Sequence, residues 1–251
     1  MKSQIPRIST RGYYDLGSGK TLKTASYFLY PKKSFTKLSG AKEVTIMIHG
    51  LRNDKKAAAN KFVIAKRRLK HLRYKHPVIG FSYDSNTKGA HLKKYELKAL
   101  RVGEMIARKN GKNLSQFIED FKKQSPQTKI RLVGHSLGST VIISTIQNLA
   151  RKEKNKNIIE SVHFFGASIQ SDSINPKKYG KILQKIVHSK IVNCYSPWDE
   201  VLKYADDKYQ VINPLGLYGA KGKTISKYSQ IKLKPKNHRF VSYAAVLKRF
   251  P

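Results

Sequence analysis

Lys129-Ile130-Arg131-Leu132-Val133-Gly134-His135-Ser136-Leu137-Gly138-Ser139-Thr140-Val141-Ile142-Ile143 is the stretch that decides how this 251-residue chain is read. A β-branched apolar run ends in Gly-His-Ser-Leu-Gly, and a helix-like segment follows at once. That is the G-x-S-x-G nucleophile elbow in its meaningful context, strand then tight turn then helix. The serine sits at the tip of a turn so sharp that side chains two residues either side would collide, and Gly134 and Gly138 remove the offending Cβ atoms. The helix opening after Ser136 aims free backbone N–H groups at the place where an oxyanion would form. The competing reading is a glycine-flanked serine in an ordinary strand-to-helix turn.

Outward from this stretch, near-continuous apolar runs alternate with amphipathic ones. Strands are predicted at 26–30, 43–48, 78–83, 159–165, 190–195 and 230–233, and Tyr13-Tyr14 fits an early strand. Continuous apolar strands such as Glu43-Val44-Thr45-Ile46-Met47-Ile48 suit a parallel sheet covered on both faces. The periodicity predicts a basic helix over 53–76 with Phe62, Val63, Leu69 and Leu72 on its apolar stripe. Two helices are expected at 91–109 and 113–123, with Gly111 as the break and Asn113 as N-cap; one of them is placed to cover the site in part. The elbow helix should run to about Lys154, another should lie near 177–188, and a last one should close the chain at Phe250. The expected architecture is α/β, one domain with a mostly parallel central sheet and helices on both faces. Residues 1–40 are a β-rich lead-in to the same domain as 41–251. Gly17-Ser18-Gly19-Lys20-Thr21 is no phosphate-binding loop, because the full pattern needs glycine where Tyr14 stands.

An elbow serine needs a base, an orienting acid and an oxyanion hole. Asp199 lies just beyond the predicted strand 190–195, at the strand end where sites converge, whereas Asp172, Asp206 and Asp207 are less well placed. Asp199 also precedes the apolar Val201-Leu202, so it reads equally as a helix N-cap. His238 follows the last predicted strand and is the candidate base; His163 lies within a strand and His188 before one. The alternative for His238 is an exposed histidine in a basic loop beside Lys236 and Arg239. For the oxyanion hole, the Leu137 N–H is one donor. The second comes from His49-Gly50-Leu51-Arg52, with Leu51 ahead of Arg52. Val201-Leu202 and 215–219 are candidate acyl-pocket walls.

These stretches together resemble an α/β hydrolase of serine-esterase or lipase type. Gly134-His135-Ser136-Leu137-Gly138 is the lipase form of the elbow, and Phe164-Phe165-Gly166-Ala167-Ser168 is similar to a strand end of the class 3 lipases. Ile191-Val192-Asn193-Cys194-Tyr195-Ser196 with Asp199 resembles that group's acid loop. Ser139-Thr140 replaces the group's usual Gly-Ala, and no proline follows Ala167. The resemblance implies the α/β-hydrolase fold, ester hydrolysis, Ser136 as nucleophile, Asp199 as orienting acid and His238 as general base.

Composition bounds the rest. Fifty-one Lys+Arg against 15 Asp+Glu give a formal charge of +36, whose field attracts nucleic acid or an anionic membrane surface. The densest run is 61–76, with Lys66, Arg67, Arg68, Lys70, Arg73 and Lys75. A catalytically weak hydrolase-fold protein that binds polyanions is therefore the alternative to an enzyme acting on a small-molecule or lipid ester. One cysteine, Cys194, excludes an internal disulfide and reads as a small buried filler. The histidines lack metal-site spacing, and no metal or organic cofactor is expected. No apolar leader follows Met1-Lys2-Ser3-Gln4, and no apolar run approaches a bilayer span, so the chain is expected in the cytoplasm, free or peripheral to a membrane.

Overall fold

The apolar runs become the strands of one eight-stranded sheet. In the computed structural model, which describes residues 5–250, the strands are β1 (Arg7–Ser9), β2 (Phe28–Tyr30), β3 (Glu43–Ile48), β4 (Val78–Ser82), β5 (Lys129–His135), β6 (Ile159–Phe165), β7 (Val187–Tyr195) and β8 (Tyr228–Lys232). Their order is β2-β1-β4-β3-β5-β6-β7-β8. Only β2 runs antiparallel to its neighbour. The segment Met1-Lys2-Ser3-Gln4, on which the leader reading rests, lies outside the described residues.

The helices are α1 (Lys32–Thr36), α2 (Lys55–His71), α3 (Glu96–Gln124), α4 (Gly138–Leu149), α5 (Lys181–Ile186), α6 (Glu200–Asp207), α7 (Leu215–Tyr218) and α8 (Phe240–Val246). Side chains alternate across each strand, so the sheet feeds two cores. Met47, Val133, Val192 and Cys194 pack with Phe62 of α2 and Phe240 and Tyr243 of α8. Ile46, Ile48, Leu132 and Ile191 face the other way, toward Ile106 of α3, Ile142 of α4 and Leu183 of α5. With both faces covered, β3 and β4 are buried at every position, which is why their sequences are continuous rather than alternating. The charged exception is Glu43, which receives a bidentate pair of bonds from Arg131 on β5 at 2.5 and 2.8 Å. Burial opposes the charge on Glu43, but Arg131 prevails and holds the carboxyl below its usual range.

Several expectations change. The two helices around Gly111 are one, α3, and Gly111 is its contact point with α4: a Cβ there would lie 2.3 Å from Ser144 Oγ and 2.6 Å from the Ser144 carbonyl carbon. Asn113 is no N-cap; buried within α3, it accepts from Tyr14 Oη at 2.9 Å and donates to the Ser26 carbonyl at 2.5 Å. Leu97 and Met105 are exposed, and the buried stripe of α3 is Ala99, Val102, Ile106 and Ala107. The helix lies against α4 as a core layer, and Gly103 near its start packs against the Leu51 and Leu137 side chains. The basic helix spans only Lys55–His71, capped by Asp54. The elbow helix stops at Leu149, residues 187–188 already belong to β7, and the closing helix ends at Val246. Tyr13 and Tyr14 are core residues outside any strand, while Arg7–Ser9, too short to show alternation, is the strand that sequence reasoning missed. Among the described residues no helix is long and apolar enough to cross a membrane.

Candidate active site

The elbow forms where β5 passes into α4. Ser136 takes a left-handed backbone, φ +53°, a conformation that costs a non-glycine residue on the order of 1–3 kcal/mol. The surroundings hold it there. Its N–H donates to the Phe165 carbonyl at the end of β6 at 3.0 Å. A Cβ on Gly134 would lie 3.1 Å from the Gly138 backbone, and one on Gly138 would lie 2.6 Å from the Ile48 carbonyl oxygen. The glycines therefore admit both the turn itself and its contact with the end of β3.

Three candidates from separate strand ends meet here. Ser136 Oγ lies 2.9 Å from His238 Nε2, and His238 Nδ1 lies 2.7 Å from Asp199 Oδ2. Because the carboxylate only accepts, Nδ1 carries the proton and Nε2 is left to accept from Ser136. The two readings of Asp199 prove to be one: it is the N-cap of α6, its Oδ1 accepting from the Leu202 N–H at 3.2 Å, while Oδ2 faces His238. The cap fixes the carboxyl plane. His238 is not a solvent-exposed loop residue, with its side chain only 14% exposed.

Two residues that sequence reasoning passed over complete the setting. Tyr243 Oη, from the first turns of α8, donates to Asp199 Oδ2 at 2.6 Å. Burial disfavours the charge on Asp199, but the bonds from His238, Tyr243 and the Leu202 N–H together hold the carboxyl below its usual range. Burial and then the Asp199 charge push the Tyr243 phenol upward, so it stays a donor. His135 Nε2–H donates to the His238 carbonyl at 2.7 Å, tying the histidine loop to the elbow. Burial, then the neighbouring His238, pushes His135 down to about 3, so its ring is neutral. The elbow pattern leaves its second position open, and nothing in the sequence marks Tyr243 within an apolar helix.

The second strand end supplies the predicted oxyanion loop. The Arg52 N–H is engaged by the Ser85 carbonyl at 2.8 Å, which removes it as a donor. The Leu51 and Leu137 N–H groups have no protein acceptor among the described residues. Gly50 brings the loop against Ser136: a Cβ on it would lie 2.8 Å from Ser136 Cβ. Asn53 Nδ2 clamps the loop by donating to the Gly50 and Leu51 carbonyls at 2.9 and 2.7 Å. His49 is buried and stacked on Tyr83 at 4.5 Å, and it accepts from the Tyr83 N–H at 3.3 Å. Burial, then Arg11, keeps it neutral. Arg11, from the lead-in segment, donates to the Asn53 and Asp54 carbonyls at 3.0 and 3.1 Å, so the first 40 residues brace the loop from behind.

The remaining candidates stay outside. His163 is buried on β6 against the Phe250 ring, 4.6 Å away, and His188 is on β7. Asp172 pairs with Lys178, and Asp206 with Tyr218. In the expected acyl-pocket segments, Leu202, Leu215 and Leu217 are buried, whereas Val201 and Tyr218 are half-exposed. Among the described residues no cluster of three or more His, Cys, Asp or Glu could hold a metal.

A family model described as a protein of unknown function, DUF726, matches residues 98–214. In overall structure the chain is similar to a serine hydrolase without a lid from Xanthomonas campestris (12% identity, 79% of this chain and 73% of that one, TM-score 0.45). It is also similar to a cutinase-like protein from a Cryptococcus species (12%, 77% and 78%, 0.40) and to a lipase-esterase related protein from Clostridium acetobutylicum ATCC 824 (8%, 83% and 90%, 0.40). A serine on the strand-to-helix turn of a mostly parallel sheet with helices on both faces makes this chain's fold that of the α/β hydrolases.

Proposed function

We propose that this protein is a serine hydrolase that cleaves carboxylic esters through an acyl-enzyme on Ser136. The observation that carries the reading is the hydrogen-bond line from Ser136 Oγ through His238 to Asp199, 2.9 and 2.7 Å long. His238 Nε2 takes the Ser136 proton as Oγ attacks the ester carbonyl, and the carbonyl oxygen becomes an oxyanion. The Leu51 and Leu137 N–H groups, which have no protein acceptor among the described residues, are the donors in this reading, each worth roughly 3–4 kcal/mol of transition-state stabilisation. His238 then protonates the departing alkoxide, and in the second half it deprotonates the water that frees the acid. Asp199, held by the Leu202 N–H and Tyr243, keeps Nδ1 protonated and stabilises the imidazolium.

Labelling by a fluorophosphonate tests this directly. The wild-type chain should be labelled and Ser136→Ala should not. Short-chain nitrophenyl esters should be turned over by the wild type alone. A second reading, a hydrolase-fold protein that binds polyanions, is favoured by α2: it contains no acidic residue, and Lys66, Arg67 and Lys70 are exposed along it. Trp198, half-exposed beside Asp199, carries Lys232 and Lys234 over its ring and adds basic groups next to the site. Salt-dependent binding to DNA or to anionic vesicles, with Ser136 unlabelled, would favour it.

A further inference from the structure

The Leu51 N–H and the Gly50 carbonyl belong to one peptide group, and two hydrogen-bond chains end on that carbonyl. The first starts at Lys61 on α2. Its ammonium donates to Asn53 Oδ1, and Asn53 Nδ2 donates to the Gly50 and Leu51 carbonyls at 2.9 and 2.7 Å. An ammonium only donates and a carbonyl only accepts, so the amide can face only one way, oxygen to Lys61 and nitrogen to the loop. The second chain starts at Arg11, whose Nη2 lies 3.3 Å from His49 Nε2. A guanidinium only donates, and the Tyr83 N–H approaches the same nitrogen at 3.3 Å, so Nε2 accepts and the ring proton sits on Nδ1. His49 Nδ1 donates to the Gly50 carbonyl at 3.0 Å, with Ser85 Oγ 3.3 Å away. Two cations thus reach one carbonyl oxygen, each through a single neutral and buried side chain.

Hydrogen bonds to a peptide carbonyl draw electron density from its nitrogen through the amide resonance, which makes the N–H of the same group a stronger donor. A cation at the head of the chain strengthens the effect, and in a buried setting little water screens it. Clamping the loop needs only the neutral Asn53 amide, so the ammonium adds something else. Its placement is not favourable for its own charge. Burial and then the neighbouring Arg239 lower the Lys61 ammonium below its usual range, with Asp54 opposing. Among the described residues Lys61 forms no ion pair that would account for its position.

We propose that Lys61 is a positioning residue for the hydrolysis: through Asn53 it orients and polarises the Gly50–Leu51 peptide, strengthening the Leu51 N–H as donor to the oxyanion. The catalytic consequence rests on the proposed ester hydrolysis with Leu51 as oxyanion donor, but the polarisation of the peptide does not.

Catalysis and polarisation are therefore measured separately. Lys61→Gln keeps a neutral donor and drops the charge, whereas Lys61→Arg keeps the charge. One oxyanion donor is worth about 10²–10³ in kcat, and cooperative strengthening of about 10–30% on that logarithmic scale is roughly two- to eightfold. Lys61→Gln should lower kcat for p-nitrophenyl acetate by that factor with KM unchanged. It should weaken inhibition by phenylboronic acid, whose tetrahedral adduct carries the oxyanion, to the same extent. Its melting temperature should not fall, and Lys61→Arg should recover the lost activity. Independently of turnover, carbonyl-labelled glycine and nitrogen-labelled leucine together mark only two peptide groups, Gly50–Leu51 and Gly216–Leu217. In Lys61→Gln the Gly50 carbonyl and Leu51 nitrogen resonances should move upfield while the second pair stays. An unmoved Gly50–Leu51 pair would overturn the proposal, as would an unchanged kcat in an active chain. A loss of kcat that tracks a loss of melting temperature, or that Lys61→Arg shares, would overturn it too by making Lys61 a structural clamp. An upfield move in a chain that neither hydrolyses ester nor takes the fluorophosphonate would leave the polarised peptide standing and overturn the hydrolase reading.

Discussion

Gly50→Ala isolates the oxyanion loop from the rest of the site. The added Cβ would lie 2.8 Å from Ser136 Cβ and 3.0 Å from the His135 carbonyl oxygen, against an ordinary carbon–carbon contact of about 3.5–4.0 Å. Neither neighbour can yield freely. Ser136 is fixed by its bond to Phe165, and the loop is clamped by Asn53 and braced by Arg11. Relief therefore moves the Leu51 N–H by on the order of 0.7–1 Å, enough to stretch a bond of about 2.9 Å past the useful range. Loss of that donor predicts a fall in kcat of roughly 10²–10³-fold with a much smaller change in KM, because the oxyanion exists only in the transition state. The stability loss should be about 1–3 kcal/mol, typical of overpacking. Steady-state kinetics on p-nitrophenyl acetate and a thermal melt measure both. A folded Gly50→Ala protein with kcat within about fivefold of wild type would refute the assignment of Leu51.

Tyr243→Phe removes one of the donors to Asp199 Oδ2 while keeping the ring in the core. It should lower kcat by about tenfold and stability by about 1–2 kcal/mol, read from kinetics and urea unfolding. An unchanged kcat would make the tyrosine a packing residue only. Gly111→Ala sets propensity against packing: an exposed helix would gain up to about 1 kcal/mol, but here the methyl meets the Ser144 backbone carbon at 2.6 Å. The variant should melt lower than wild type, and a higher melting temperature would contradict the contact between α3 and α4. Burial, then Arg131 and Lys190, pushes His163 down to about 3, while the unfolded chain takes up that proton near pH 6.5. The stability held by its neutral form is thus complete above about pH 6.5 and declines as pH falls toward 3, by up to about 1.4 kcal/mol per pH unit. Urea unfolding at pH 7, 6 and 5 should show a shallower decline in His163→Asn than in wild type; parallel declines would refute it.

The brace behind the loop that follows β3 gives the lead-in segment a structural role that its sequence does not display. Asp84 Oδ2, just past β4, accepts from the Gly12, Tyr13 and Tyr14 N–H groups at 2.9, 3.2 and 3.3 Å, fixing the turn that aims Arg11. From that position Arg11 donates to Ser82 Oγ at 2.9 Å and to the backbone beneath α2. Pairing of β1 with β4 holds the segment in the sheet.

Read alone, the sequence determined whatever depends on neighbours along the chain. Continuous apolar runs specify strands covered on both faces, Gly134 and Gly138 specify the elbow, and strand-ending loops at Gly50, Asp199 and His238 specify where a site can gather. These are local signals, because period, turn chemistry and loop position are properties of a few consecutive residues. Tertiary structure decided what depends on residues far apart. Gly111, a helix breaker by propensity, continues α3 because α4 needs the space, and Asn113 is a buried crosslink to the lead-in instead of a cap. Leu51 is preferred to Arg52 because Ser85, more than 30 residues on, takes the Arg52 N–H. Tyr243 reaches Asp199 only once α8 packs beside β6 and β7. Hydrogen-bond satisfaction and close packing are properties of the folded neighbourhood, which no single stretch of chain encodes.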